Sequence, residues 1–256
     1  MNRYLKLSAA ACAVMLAACG KDAVKEITGP VPGSQIKFFN FSTGSPGVNF
    51  WANTTKLTAI GTASGTESPL GTTYSQAANG GLYSAVTPGQ YDLSAQLSDT
   101  ATRNVAIAHV TTTLANGKSY SYYLSGPYSS GTKTSDAFMV EDPIPARDFS
   151  VAYVRFVNAI YNANPMTLYA VNVDTSKHMA EVALGSTVAY KSAGTFTSLP
   201  AGTYNLSTRY PGSGTNVIVR SSVSFTEGHA YTITARGDIN ATSGTNKPAL
   251  DNTANQ

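Results

Sequence analysis

Thiols are almost missing from this chain: its two cysteines, Cys12 and Cys19, both fall within the first twenty residues. Whatever follows has no sulfur for disulfides or thiolate metal sites, so its fold must rest on its own core. Charge is scarce as well. Acidic and basic residues make up 12% of the chain, about half the usual share. No stretch gathers Lys and Arg into a stripe, and the formal charge of +3 falls by two once Arg3 and Lys6 leave with an N-terminal signal. Nucleic acid needs clustered cations and is not expected as a partner.

Reactive constellations are equally thin. His109, His178 and His229 lie in three separate segments, none with a second His or Cys at ligand spacing. Asp99, Asp136 and Asp174 stand alone, without the Asp-x-Asp-x-Asp run of a calcium loop. Serines abound, but none sits in a Gly-x-Ser-x-Gly elbow, and Gly126 to Gly131 reads as a loop. Gly80-Gly81 and Gly212-Ser213-Gly214 precede no helix N-terminus that could cradle phosphate. Glu141-Asp142 is the only adjacent carboxylate pair, and its Pro-rich surroundings read as a solvated linker. Carboxylates distant in sequence could still converge, as in a glycosidase. No cofactor, no metal and no enzymatic activity are expected.

What is present begins with an address. Arg3 and Lys6 form a positive n-region and Leu7 to Ala18 an apolar stretch of a signal peptide's length. That stretch is too short to cross about 30 Å of hydrocarbon as a permanent helix. Leu16-Ala17-Ala18-Cys19-Gly20 then reads as a bacterial lipobox, with residues 1–18 cleaved and Cys19 carrying lipid. Buried methylenes contribute about 0.8 kcal/mol each, so two or more acyl chains anchor stably. The membrane is thus an expected partner through Cys19, and Gly20 in place of Asp favours the outer membrane.

An internal repeat organises the rest. Ile36-Lys37-Phe38-Phe39-Asn40 aligns with Val154-Arg155-Phe156-Val157-Asn158, and Val48-Asn49-Phe50-Trp51-Ala52 with Met166-Thr167-Leu168-Tyr169-Ala170. Leu70-Gly71 then matches Leu184-Gly185, Gly89-Gln90-Tyr91 matches Gly202-Thr203-Tyr204, and Gly117-Lys118-Ser119-Tyr120 matches Gly228-His229-Ala230-Tyr231. A period above about a hundred residues marks duplicated domains, because solenoid repeats run at roughly 20–50. Alternation within each copy predicts strands. Tyr91, Leu93 and Ala95 share one face, Tyr120, Tyr122 and Leu124 another, with Tyr204/Leu206 and Tyr231/Ile233/Ala235 repeating them. Turn residues punctuate these runs, at Pro88-Gly89, Asn116-Gly117, Ala201-Gly202 and Pro211-Gly212. The expected class is all-β: two tandem immunoglobulin-like β-sandwiches of about seven strands each.

Breakers set the expected boundaries. Residues 19–34 form a flexible tether, 35–139 the first domain, 140–149 a stiff polar linker, 150–238 the second domain, and 239–256 a disordered tail. Arg155-Phe156-Val157-Asn158, the Leu184-Gly185 step and Pro200-Ala201-Gly202-Thr203-Tyr204 resemble the bacterial family catalogued as domain of unknown function 4397. The resemblance spans both copies. It is weaker in the first, which lacks the Ala before Gly89 and opens on Lys37-Phe38-Phe39. It implies exported or lipid-anchored proteins with β-sandwich domains, and it assigns no catalytic residues.

The remaining candidates are aromatic. Trp51 and Tyr169 hold matching positions out of phase with Val48/Phe50/Ala52 and Met166/Leu168/Ala170, so both should face outward, where rings commonly meet carbohydrate or protein. The plainer reading is that a loop or the other domain covers them. Tyr123 and Tyr128 are weaker candidates of the same kind. The sequence reads as a non-catalytic, lipid-anchored envelope protein for binding, adhesion or scaffolding, its glycan or protein ligand unidentified. An envelope polysaccharide-binding or hydrolysing protein with an unrecognised site is the alternative.

Overall fold

The computed structural model describes residues 33–255 apart from His178, and the secondary structure there is strand with two short 3-10 turns. The lipobox and most of the tether lie outside the described residues. No helix among the described residues is long and apolar enough to cross a membrane.

The first copy holds β1 (Ser34–Asn40), β2 (Val48–Ala52), β3 (Thr55–Lys56), β4 (Gln76–Ala77), β5 (Ser84–Val86), β6 (Gly89–Leu97), β7 (Ala106–Leu114), β8 (Ser119–Ser129) and β9 (Thr134–Glu141). The second repeats this order with β10 (Ala152–Asn158), β11 (Thr167–Asn172), β12 (Val182–Ala183), β13 (Ser192–Ala193), β14 (Thr197–Leu199), β15 (Gly202–Arg209), β16 (Ile218–Phe225), β17 (Ala230–Arg236) and β18 (Ala249–Ala254). In each copy a five-stranded sheet faces a four-stranded one. The larger sheet runs β4/β5-β1-β8-β9 and the smaller β3-β2-β6-β7, mirrored by β13/β14-β10-β17-β18 and β12-β11-β15-β16. The opening strand lies parallel to its copy's eighth, β1 on β8 and β10 on β17. Nine strands rather than seven arise because β3, β4, β12 and β13 are two-residue stubs whose pattern is too short to read from sequence.

Period-two alternation builds the cores. Ile36, Phe38, Val48, Phe50, Leu93, Ala95, Tyr122 and Leu124 enclose the first, with Phe38 stacked on Phe50 at 4.9 Å. Val154, Phe156, Leu168, Leu206 and Ile233 enclose the second. Each such buried side chain contributes about 1.5–3 kcal/mol. The repeated Pro/Ala-Gly-x-Tyr turn is closed by its tyrosine: Tyr91 donates to the Thr87 carbonyl at 2.7 Å and Tyr204 to the Pro200 carbonyl at 2.8 Å. The Leu-Gly step is steric in origin. Gly71 has φ +55°, and a Cβ there would lie 2.4 Å from Ser98 Oγ; Gly185 repeats the left-handed turn at φ +83°.

Two expected boundaries are corrected. Ala249–Ala254, placed in the disordered tail, is β18, the closing strand of the second copy's larger sheet, where Leu250 enters the core. Asp251 and Thr253 alternate with Leu250 and Asn252 on a half-covered edge, so Leu250 is its one fully buried apolar residue and the strand reads as polar. Within residues 140–149, Val140 and Glu141 finish β9 and Asp142 is buried, so only the exposed run that follows behaves as a connector.

The two copies meet through the outer faces of their larger sheets. Phe39, Phe41, Tyr123 and Phe138 from the first copy pack with Val157 and Ala159 from the second. Tyr123 is sandwiched between Phe39 at 4.8 Å and Phe138 at 5.0 Å. The larger sheets are therefore covered on both faces, and the smaller ones lie outermost.

Candidate functional site

Strand phase explains what the junction holds. Lys37 on β1 and Arg155 on β10 are equivalent, both out of phase with the core, so both side chains point at the opposite copy. Each reaches the far end of the other copy's last strand. Arg155 donates through Nη1 to the Glu141 carbonyl at 2.9 Å, and Lys37 Nζ donates to the Ala254 carbonyl. The residues that follow these carbonyls, Asp142 and Asn255, also correspond: their amides donate to Ser119 and Ala230 carbonyls at 2.7 Å each. The junction thus has a quasi-twofold axis, the signature of an isologous contact.

Arg155 is 0% exposed and Asp142 3%. They form an ion pair, and Arg155 Nε donates to Thr232 Oγ1 at 2.9 Å. Asp142 Oδ2 accepts from Tyr83 and Ser121 hydroxyls at 2.7 Å each. Lys37 lies 4.2 Å from the Tyr83 ring centre, and the Arg155 guanidinium 4.9 Å from that of Phe196. Burial lowers the Lys37 ammonium to about 8, partly opposed by the Asp142 charge. Burial, reinforced by Asp142, holds the Tyr83 phenol far above its usual range. Both Asp142 oxygens accept from donors, Oδ1 from Arg155 of the second copy and Oδ2 from two hydroxyls of the first, so this buried carboxylate joins the two copies.

The expected candidates fall elsewhere. Trp51 and Tyr169 do occupy matching places, on β2 and β11, paired across their sheets with Ser94 and Ser207. Both are half-buried, and each ring is covered by a cation. Lys56 lies 5.0 Å from the Trp51 ring centre and pairs with Glu67 at 2.9 Å; Asn49 and Arg103 also reach Glu67. The hydrogen bond from Lys56 lowers the Glu67 carboxyl below its usual range. Arg209 lies 4.6 Å from the Tyr169 ring centre, held by a two-pronged contact to Glu181. The rings belong to the two outermost sheets, on opposite sides of the junction, and do not converge.

Tyr123, expected as a weak outward candidate, is instead sealed inside the junction, and Tyr128 packs partly against the first core. Asp142, expected to be solvated, is buried. Its linker context misled because the partner, Arg155, comes from another strand. His109 is exposed and pairs with Asp92 at 2.9 Å. His229 lies 6.2 Å from Tyr231, ring centre to ring centre. His178 and Cys19 lie outside the described residues. Among those described, no three His, Cys, Asp or Glu side chains gather as a metal site. The signal that could have found the junction is the matched Lys37/Arg155 pair, a cation embedded in an apolar strand of each copy.

A family model described as "Domain of unknown function (DUF4397)" matches the chain twice, over residues 34–169 and over residues 152–255. No curated protein matches it.

Proposed function

The chain belongs to the DUF4397 family and carries its domain in tandem; from that premise we propose a non-catalytic, lipid-anchored envelope protein that presents two fused immunoglobulin-like sandwiches for binding or scaffolding. Cys19 carries the lipid, the residues after it form the tether, and Gly20 directs the protein to the outer membrane. The observation that supports this reading best is the junction. Its charged groups are spent on holding the copies together, leaving one body whose outer sheets and strand edges remain for recognition.

Mass spectrometry of the native protein tests the anchor. The expected result is a mature chain starting at acylated Cys19, and a Cys19→Ala variant released from the membrane fraction. A bare N-terminus, or Cys19→Ala protein still sedimenting with membranes, refutes it.

A further inference from the structure

Both copies begin their central strands at one end of the body. Asp142, which meets Arg155, donates its amide to Ser119 at the start of β8; Asn255, next to the carbonyl that meets Lys37, donates to Ala230 at the start of β17. This shared end, the base, carries the turns at residues 87–89, 115–118, 200–202 and 226–228 and the connector that follows Asp142. The chain also enters here. Gly33 donates to Asn116 Oδ1 at 2.9 Å, and its carbonyl accepts from the Gly117 amide at 2.7 Å.

The entry point limits which end can meet a membrane. Only residues 20–32 separate Cys19 from Gly33. A chain of that length reaches about 50 Å fully extended and averages about 20 Å as a coil. β8, 11 residues from Ser119 to Ser129, rises about 35 Å from the base. The far end exposes Leu70 and Ile60, but turning it to the bilayer would stretch the tether towards its limit. Turning the base to the bilayer leaves the tether slack.

The base is suited to that contact. Phe149 is 72% exposed, and its ring rests on Gly228, where a Cβ would lie 2.9 Å from Phe149 Cδ1. The backbone on both sides of the ring is fixed: the Gly228 amide donates to the Asp148 carbonyl at 3.2 Å and to the Val151 carbonyl at 2.8 Å. Ser150 donates to the Asp148 carboxylate through its amide at 2.9 Å and its hydroxyl at 2.7 Å. Val173, also exposed, donates its amide to Thr203 at the same end. Beside Gly33, Ala85, Val86 and Pro88 line an open cleft of about 350 Å³. Lys118 and Arg147 are matched there by Glu141, Asp148 and Glu227, so the base has no cationic surplus for anionic lipid and its attraction is apolar.

We propose that the base docks on the bilayer surface, with the Phe149 ring set among the lipid headgroups. This placement rests on the reading of Cys19 as the anchor and deepens it by giving the body an orientation. Aromatic and aliphatic side chains bind the headgroup boundary in proportion to the apolar area they bury. One ring holds too weakly to recruit a free protein. Tethering removes that difficulty, because a short linker supplies an effective concentration in the millimolar range. The end bearing Ile60 and Leu70 then faces away from the membrane.

Site-directed labelling of the full mature chain tests this, since acylation of Cys19 leaves it without a free thiol. Ala146→Cys in the connector and Leu70→Cys at the far end each receive a bimane label. Each protein is then reconstituted in phosphatidylcholine vesicles with brominated acyl chains. Quenching at Ala146→Cys should exceed that at Leu70→Cys at least threefold and should not weaken as salt is raised. Adding Phe149→Ser to Ala146→Cys should lower its quenching at least threefold. Equal quenching at the two ends overturns the proposal, as does quenching at Ala146→Cys that Phe149→Ser leaves unchanged. The parent chain separates this failure from that of the anchor. A parent that takes up bimane has a bare Cys19 and loses both anchor and docking, whereas an unlabelled parent with equal quenching at both ends loses the docking alone.

Discussion

Replacing Asp142 by alanine leaves the Arg155 guanidinium buried without its counter-ion and removes the acceptor of the Tyr83 and Ser121 hydroxyls. Breaking a fully buried pair from one side costs about 3–5 kcal/mol, because the surviving charge is stranded in low dielectric. For a body of this size, 1 kcal/mol moves the midpoint by about 2–4 °C, so Asp142→Ala should melt roughly 6–20 °C lower. Trp51, the single tryptophan, reports on the first copy, while far-UV circular dichroism reports on both. In the parent protein the two signals should fall together. In Asp142→Ala they should separate as the copies uncouple. A double variant, Asp142→Leu with Arg155→Met, should regain much of the loss, since apolar isosteres often replace a buried pair at little cost. A midpoint shift equivalent to less than about 1 kcal/mol for Asp142→Ala, the range of exposed ion pairs, would refute the reasoning.

Two further outcomes follow from the same junction. In the fold Lys37 releases its proton near pH 8, whereas an unfolded lysine keeps it to about 10.5, so stability should rise modestly as pH climbs from about 8. Above about pH 10 the sign reverses. Unfolded tyrosines ionise there, while burial keeps the phenols of Tyr83, Tyr122 and Tyr190 protonated far higher and raises Tyr123 to about 12. Denaturant titrations at pH 7, 9 and 11 should show this maximum, and Lys37→Met should remove the rise; a steady decline from pH 8 in the parent would contradict the assignment. Trypsin offers the other check. Arg147 lies in the exposed connector after Asp142, and cleavage there should leave the two copies co-eluting on size exclusion at neutral pH. Separate elution of the fragments would mean that the connector, and not the junction, holds them together.

How far the sequence disclosed this arrangement depends on how local the determinant is. Alternation in Leu93/Ala95 or Tyr122/Leu124 needs only neighbouring residues, and it places the cores correctly. The Leu-Gly and Gly-x-Tyr steps are equally local, since one left-handed turn or one tyrosine hydroxyl explains each. The junction is different. Phe39 and Tyr123 stand out of phase with their own core, and nothing near them in sequence says what covers that second face. Asp142 reads as solvent-facing between charged and proline residues until β10 brings Arg155 against it. β18 was hidden for a related reason. A strand on a sheet edge, with polar side chains on a half-covered face, lacks the apolar signal that alternation requires.

The same facts constrain what one copy could do without the other. Separated from the second, the first would expose Phe39, Phe41, Tyr123 and Phe138 together, a contiguous aromatic patch of the kind that drives association. Lys37 would lose the Ala254 carbonyl and Asp142 would lose Arg155. Each copy therefore completes the other through equivalent contacts, and in a symmetric pair both edges of the junction would be alike. Tandem duplication removes that requirement, because each half can then vary alone. Divergence has taken the form of an apolar triplet at β9, Phe138-Met139-Val140, and a polar one at β18, Asp251-Asn252-Thr253. The β9 edge keeps the stacked rings that hold the copies together. The other edge joins the copies through charge instead: Arg236, paired with Asp251, reaches the Tyr74 hydroxyl at 3.5 Å and lies 6.0 Å from the Phe41 ring centre.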